Sequence, residues 1–428
     1  MVENVNSDGK KQFLYFPSLS AGSMVSSFKK DYKFSDGTPV KFYDSRYPSE
    51  WRHPYFLITA GHHYKKMDFR DQLGLEKDVL VFGDSGGYQI ATGALPYSNE
   101  LREKIFHWLE ANSDVAANLD IPPKTVYKNK FHECADISFD NFKWFEKNQS
   151  GKTAFINMLQ GSNAEEYTWW YHKFKDFDFN GWGIGGPQKL VDFMFALALL
   201  LKEKEFEKQQ NKYLHLLGIS KISDFFILAT LQKLMNKLTN NRIYVSTDSS
   251  SPGQYPVYGT YLHSWNYKVQ SFSELYFPKN NEYRRKNHIA QGKLVNPEVD
   301  IHQHVACSLD CPACKDFTYE YLEGQTAAGL DRYSQEAMPR MVVHNTHLYV
   351  KLAEDINKVV SSHVEMLETL IPRDLYSVII SMHEMFADPD AAMYVYEKYK
   401  KVYKKFGGDS ISTINAESFN QFFGQKTN

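Results

Sequence analysis

The chain has 428 residues, 43% of them hydrophobic, and a formal net charge of −2. That apolar fraction excludes a fibre or a disordered tail and suffices for one large core with appendages, while the near-neutral balance gives no whole-chain signature of a nucleic-acid binder. The longest apolar run, 193–201, is far short of the roughly 20 residues a membrane span needs, and the opening Met-Val-Glu-Asn-Val-Asn has neither a basic nor an apolar segment; a soluble, cytoplasmic protein with no membrane partner is expected.

In chain order, short β-branched or aromatic runs recur at 12–16, 55–59, 79–82, 115–119, 154–159, 182–184, 213–217 and 242–246. Each ends in polar or glycine residues, and stretches of helical character lie between them, among them 99–111, 137–147, 164–174, 190–208 and 222–238. This alternation predicts an α/β chain folded as a (β/α)8 TIM barrel. The first connection, 17–54, is long for such a barrel and carries Ser35-Asp36-Gly37, so an extra hairpin or a substrate loop is expected there. After Asp248 the pattern breaks: 249–296 is rich in Ser, Pro, Tyr and charge, a cysteine cluster follows, and helical character returns over 341–370 and 391–406. The expected organisation is a barrel over 1–300, an inserted zinc-binding subdomain over 301–350 and a C-terminal helical tail over 351–428. Two basic groups, Arg284-Arg285-Lys286 and the lysines at 398, 400, 401, 404 and 405, read as solvated surface unless the fold sets them beside a site.

The cysteines are four in number, too few to staple a chain this long, and three of them form Cys307-x3-Cys311-x2-Cys314. Three thiols so spaced, with His344 or His347 following, suit a tetrahedral Zn2+ in a closed structural Cys3His site, one per chain. His302 and His304 are also near in sequence.

Asp84, Asp120, Gln160, Gly185-Gly186, Gly218 and Asp248 each fall at or just after the end of an expected strand, where a barrel of this kind builds its chemistry. The sharpest motif is Asp84-Ser85-Gly86-Gly87-Tyr88-Gln89, in which a strand runs into an acid, two glycines allow close backbone approach to a ligand, and an aromatic face follows. Taken alone it leaves an aspartic protease or a phosphate cradle open.

Together with Asp120, Gln160, Gly185-Gly186, Leu217-Gly218, Asp248, the three cysteines and His344-Asn345, all in order, the motif resembles the tRNA-guanine transglycosylase family, over about 13–353. The resemblance implies a base exchange in which Asp248 is the nucleophile and Asp84 the acid/base, by the logic of a retaining glycosidase. It assigns Ser85, Gly86, Gly87, Tyr88, Asp120, Gln160, Gly185, Gly186, Leu217 and Gly218 to the base pocket and Cys307, Cys311, Cys314 and His344 to zinc. Asp120 would accept from guanine N1–H and the exocyclic amine, Gln160 and the Gly186 N–H would donate to O6, and Tyr88 and Leu217 would sandwich the ring.

Three departures qualify the resemblance. Asp248 is followed by Ser249-Ser250-Ser251-Pro252-Gly253-Gln254, with no arginine before Arg284, where tRNA-acting members carry a basic grip. Pro187 follows Gly185-Gly186, which suits a neutral 7-cyano-7-deazaguanine better than a cationic aminomethyl base. The first cysteine spacing is x3 instead of x1, leaving Cys307 the least secure ligand. These features look like the DNA-modifying branch, the DNA 7-deazaguanine transglycosylases of phage and bacterial modification systems, with DNA and a 7-deazaguanine base as partners and a homodimer or helper proteins possible. RNA as substrate, and a non-catalytic partner subunit, are the alternatives.

Overall fold

The computed structural model describes residues 4–18, 25, 28–185, 189–257, 260–276, 307–314, 318, 337–362 and 364–408. Eight strands, β1 Leu14–Pro17, β2 Tyr55–Thr59, β3 Leu80–Asp84, β4 Val115–Ala117, β5 Ala154–Leu159, β6 Gly181–Ile184, β7 Tyr213–Leu216 and β8 Tyr244–Ser249, form one parallel sheet in the order β1-β8-β7-β6-β5-β4-β3-β2. The two ends of that order meet through a parallel bridge between Ser18 and Leu57, so the sheet is a nearly closed (β/α)8 barrel. The strands are almost entirely buried because helices cover the outer face and side chains fill the inside, which is why they read as apolar runs without alternation.

The long helices between strands are α1 Asn99–Asn112, α2 Phe131–Asn148, α3 Ala164–Phe174, α4 Leu190–Lys202 and α5 Ile222–Leu238. Local chemistry sets several starts. The Ser98 hydroxyl accepts from the Leu101 N–H at 3.1 Å, and the Asn163 side chain accepts from the Glu166 N–H at 3.0 Å, each satisfying a backbone donor that the first turn leaves open. Helix α4 stops at Lys202, six residues before the expected end, because Lys204 takes a left-handed conformation (φ 59°) and the chain turns inward through Glu205–Glu207.

That turn buries Glu205 at the foot of the barrel. Its carboxylate accepts from Tyr171 (2.6 Å), Trp182 Nε1 (2.9 Å) and Asn211 (3.1 Å) and pairs with Lys208 at 2.7 Å. Removing one side of a buried charge network strands its partners, so Glu205→Ala is expected to cost roughly 3–5 kcal/mol. A urea unfolding midpoint unchanged from wild type would contradict that expectation.

The 17–54 connection holds a tight turn at Ser35-Asp36-Gly37, with Phe34 N–H donating to Thr38 O at 2.8 Å and a single antiparallel bridge between Lys33 and Pro39. Beyond β8, where the sequence pattern merely breaks, the chain forms a short helix Ser251–Val257 and an antiparallel hairpin, β9 Thr260–Asn266 and β10 Ser271–Tyr276. Helices α6 Ala337–Ser361, α7 Arg373–Ala387 and α8 Ala392–Gly408 follow, and α6 runs unbroken through position 350, the expected boundary between subdomain and tail. The tail packs on the barrel's helices: α8 lies along α4, where Phe195 meets Tyr396 edge-on at 5.3 Å, and α7 lies along α5. This cover explains why α4 is apolar on nearly every side. Of the tail lysines, Lys398, Lys400 and Lys405 pair with Glu384, Glu397 and Asp374. Among the described residues, no helix is long and apolar enough to cross a membrane.

Candidate functional site

Parallel strands that end at one rim carry their terminal residues to a common mouth, and here that mouth is a cavity of about 550 Å³. Asp84 from the end of β3 and Asp248 from the end of β8 both line it. Asp120 and Gln160, from the segments after β4 and β5, line it too, with Gly185, Leu217 and Gly218 after β6 and β7. Strand β8 extends past the expected end at 246, because β1 continues to offer it a partner: Phe16 is in register with Asp248 and Pro17 with Ser249. Asp248 therefore sits on a strand, not on a loop.

Among the glycines that line the cavity, Gly87 and Gly185 have a steric requirement. A Cβ on Gly87 would lie 1.8 Å from the Asp120 carbonyl oxygen, so only glycine lets the Asp84 turn press against the Asp120 segment. A Cβ on Gly185 would lie 2.0 Å from Gln160 Nε2, so glycine there leaves the space that the glutamine amide occupies. Gly86 directs its N–H to Asp84 Oδ1 at 3.2 Å. Ser85 is buried, and its hydroxyl turns away from the cavity to donate to the Asn118 carbonyl at 3.0 Å. Its place in the expected base pocket is thus behind the wall. Tyr88 is 58% exposed and lines the cavity. Gly186 lies outside the described residues.

Burial shapes the acids differently. Desolvation lifts the Asp84 carboxyl above the usual carboxylate range; the Gly86 N–H and the Thr59 hydroxyl pull it back, and the charge on Asp248 pushes it further up. Asp120 is pushed up to about 7 by burial, against the Gln160 amide that donates to its Oδ2 at 2.6 Å. Asp248 Oδ1 accepts the Gly218 N–H at 2.8 Å. Lys124 also lines the cavity, its ammonium held below the usual lysine range by desolvation. Sequence reading did not single out Thr59, His62, Lys124, Ser250 or Gln254, all of which line the cavity. Thr59 could have been found by the strand-end rule that picked out Asp84; the others stand on loops or short helices whose placement no local pattern reveals.

A second cluster forms where the cysteine segment meets α6. Cys307, Cys311, Cys314 and His344 offer ligand atoms that all lie within 4.8 Å of one another. His344 Nδ1 is 3.3 Å from Cys311 Sγ, 3.0 Å from Cys314 Sγ and 3.8 Å from Cys307 Sγ. Cys307, expected to be the least secure member, is part of the group. His344 Nε2 donates to the Leu262 carbonyl at 2.6 Å, which leaves Nδ1 facing the thiols. Such a donor set, half-buried at Cys307, buried at the other three and convergent on one point, fits a metal ion. His347, one turn later, packs instead against Tyr47 and Trp51, and His302 and His304 lie outside the described residues. Asn345 ties the cluster to the cavity: its Oδ1 accepts from the Leu262 N–H at 3.1 Å, and its amide donates to Pro252 O, in the helix that carries Gln254.

Set against models of known protein families the chain matches none, and no curated protein matches it in sequence.

Proposed function

We propose that this protein is a DNA-guanine transglycosylase, which exchanges a guanine in DNA for a 7-deazaguanine, 7-cyano-7-deazaguanine being the base that fits best. The observation that carries the reading is the presence of Asp84 and Asp248 on one cavity that Asp120 and Gln160 also line, an acceptor and a donor suited to the edge of guanine. In the proposed reaction the Asp248 carboxylate attacks the anomeric carbon as the bond to guanine N9 breaks, and the departing base takes a proton from Asp84. The incoming base returns a proton to Asp84 as its N9 displaces Asp248. An Asp84 with a raised pKa is suited to carry that proton between the two half-reactions.

DNA is favoured over tRNA because residues 249–257 contain no arginine and present Ser250 and Gln254 to the cavity. The target nucleotide would be single-stranded or flipped from the stack, since the anomeric carbon is otherwise out of reach. The metal we assign to the Cys307, Cys311, Cys314 and His344 cluster is zinc, which would supply structure and no chemistry at the cavity. A cytoplasmic setting, bacterial or phage-infected, agrees with reduced thiols at that cluster.

Labelled 7-cyano-7-deazaguanine offered to plasmid DNA and to bulk tRNA, with Asp84→Ala and Asp248→Ala as controls, tests the proposal. Label in DNA that disappears in both variants is expected; label in tRNA alone would overturn the choice of substrate, and label in neither would overturn the reaction.

Asp120 gives a separate prediction with two opposed effects. Its folded-state pKa of about 7 lies above the ordinary value of about 3.9, so the folded protein holds an extra proton between those limits and loses stability as pH rises through them. Asp120→Asn removes that penalty and is expected to raise Tm by a few degrees at pH 8 and by little at pH 4. The same change weakens binding of the base by about 10- to 100-fold, because a charged acceptor for two N–H groups is lost. Calorimetry at both pH values, with titration of the free base, checks the pair; an equal Tm change at the two pH values would show that Asp120 does not titrate in this range.

A further inference from the structure

Beneath Asp248 lies a histidine to which the reading above gives no role. His215, on β7, is wholly buried inside the barrel, with its ring stacked on Phe82 of β3 at 3.9 Å and edge-on to Phe16 of β1 at 6.2 Å. It is in register with Ser246 of β8, and its Nδ1 is 2.8 Å from the Ser246 hydroxyl. Ser246 and Asp248, two apart on one strand, face the same interior. His215 Nε2 has no hydrogen-bond partner, yet it stands 3.4 Å from Asp248 Oδ1.

A buried ring nitrogen beside a carboxylate oxygen is tolerable only with a proton between them, since two lone pairs facing each other in a low-dielectric interior repel. That requirement puts a proton on Nε2, toward Asp248; in the neutral ring Nδ1 then accepts from Ser246. We propose that His215 is a positioning residue for the nucleophile, and that with the Gly218 N–H it holds Asp248 Oδ1, turning Oδ2 toward the sugar. Two donors on one oxygen fix the plane of the carboxylate while the other oxygen keeps its lone pairs for the anomeric carbon. In the return step the same N–H stabilises charge as it reappears on Asp248, which favours release of the sugar to the incoming base. This role rests on the base-exchange reading, whereas the contact itself does not.

Two variants separate positioning from packing. His215→Phe preserves the stack on Phe82 and removes both nitrogens; His215→Gln replaces the ring but restores an N–H donor at similar reach. For single-turnover formation of the protein–DNA adduct, His215→Phe is expected to be slower by about 10²-fold, the scale of a reacting group displaced by about 1 Å. His215→Gln is expected to recover most of that loss, although its melting temperature should be no higher than that of the Phe variant. Adduct formation by His215→Phe at the wild-type rate would overturn the proposal, as would equal loss in both variants. Nitrogen NMR of the histidine-labelled protein provides an arm that needs no reaction. The His215 signal, assigned by its absence from the Gln variant, should show the Nε2–H tautomer and should shift in Asp248→Asn. An Nδ1–H tautomer, or a signal indifferent to Asp248→Asn, would overturn the contact even where base exchange is observed. A wild type that exchanges no base but shows the expected tautomer would support the contact and remove only the reaction it was proposed to serve.

Discussion

Asp248→Asn is expected to lower base exchange by on the order of 10⁴-fold or more, the scale of losing a covalent nucleophile, while leaving the fold intact. The substitution keeps the side chain's shape and an oxygen for the Gly218 N–H, which lies at 2.8 Å in the native protein. What it removes is the lone pair that would bond the sugar. Wild-type protein offered DNA without an incoming base should leave an adduct that survives denaturation, and the Asn variant should leave none. Circular dichroism and melting would establish that the variant is folded. Exchange within about tenfold of wild type would mean that the sugar is not carried on this carboxylate, and the cavity would then need a different account.

The second large effect concerns the metal. Purified protein is expected to carry one equivalent of zinc, and Cys311→Ser or chelation to lower Tm by about 10 °C or more, since a structural metal contributes its binding free energy to folding. Cys311 and Cys314 are buried, so loss of the ion leaves thiols and an imidazole facing one another with no other compensation. The damage should travel along a physical path. His344 holds the Leu262 carbonyl, Asn345 holds the Leu262 N–H and the Pro252 carbonyl, and the helix containing Pro252 presents Gln254 to the cavity. Base affinity should therefore fall in a metal-depleted sample that still has the far-ultraviolet spectrum of a barrel. Elemental analysis finding well under one equivalent, or a melt unmoved by chelation, would defeat the assignment.

The barrel was legible because its signal is repetitive and local. Each buried parallel strand must be apolar on both faces, each is short, and most are followed by a helix, so repeats of one pattern accumulate. Asp84, Asp120, Gln160 and Asp248 were legible by the same logic, since a polar residue terminating an apolar run stands out in the chain and the topology brings all such ends to one rim. The Cys307, Cys311 and Cys314 spacing was legible because a metal knuckle is built within a few residues, which leaves only the fourth ligand to the fold.

What tertiary structure alone decided are the contacts made between segments distant in the chain. It chose His344 over His347, because α6 turns one toward the thiols and the other toward Tyr47 and Trp51. It set Ser85 behind the cavity wall, because Asn118 of a neighbouring strand end offers its hydroxyl a buried acceptor. It ended α4 early to bury Glu205 among Tyr171, Trp182 and Asn211. It also put His215 under Asp248, where by composition alone it is one more histidine in an apolar strand. Periodicity records which face of an element is buried; the partner that awaits a polar group on that face depends on register and closure, and these are properties of the whole barrel.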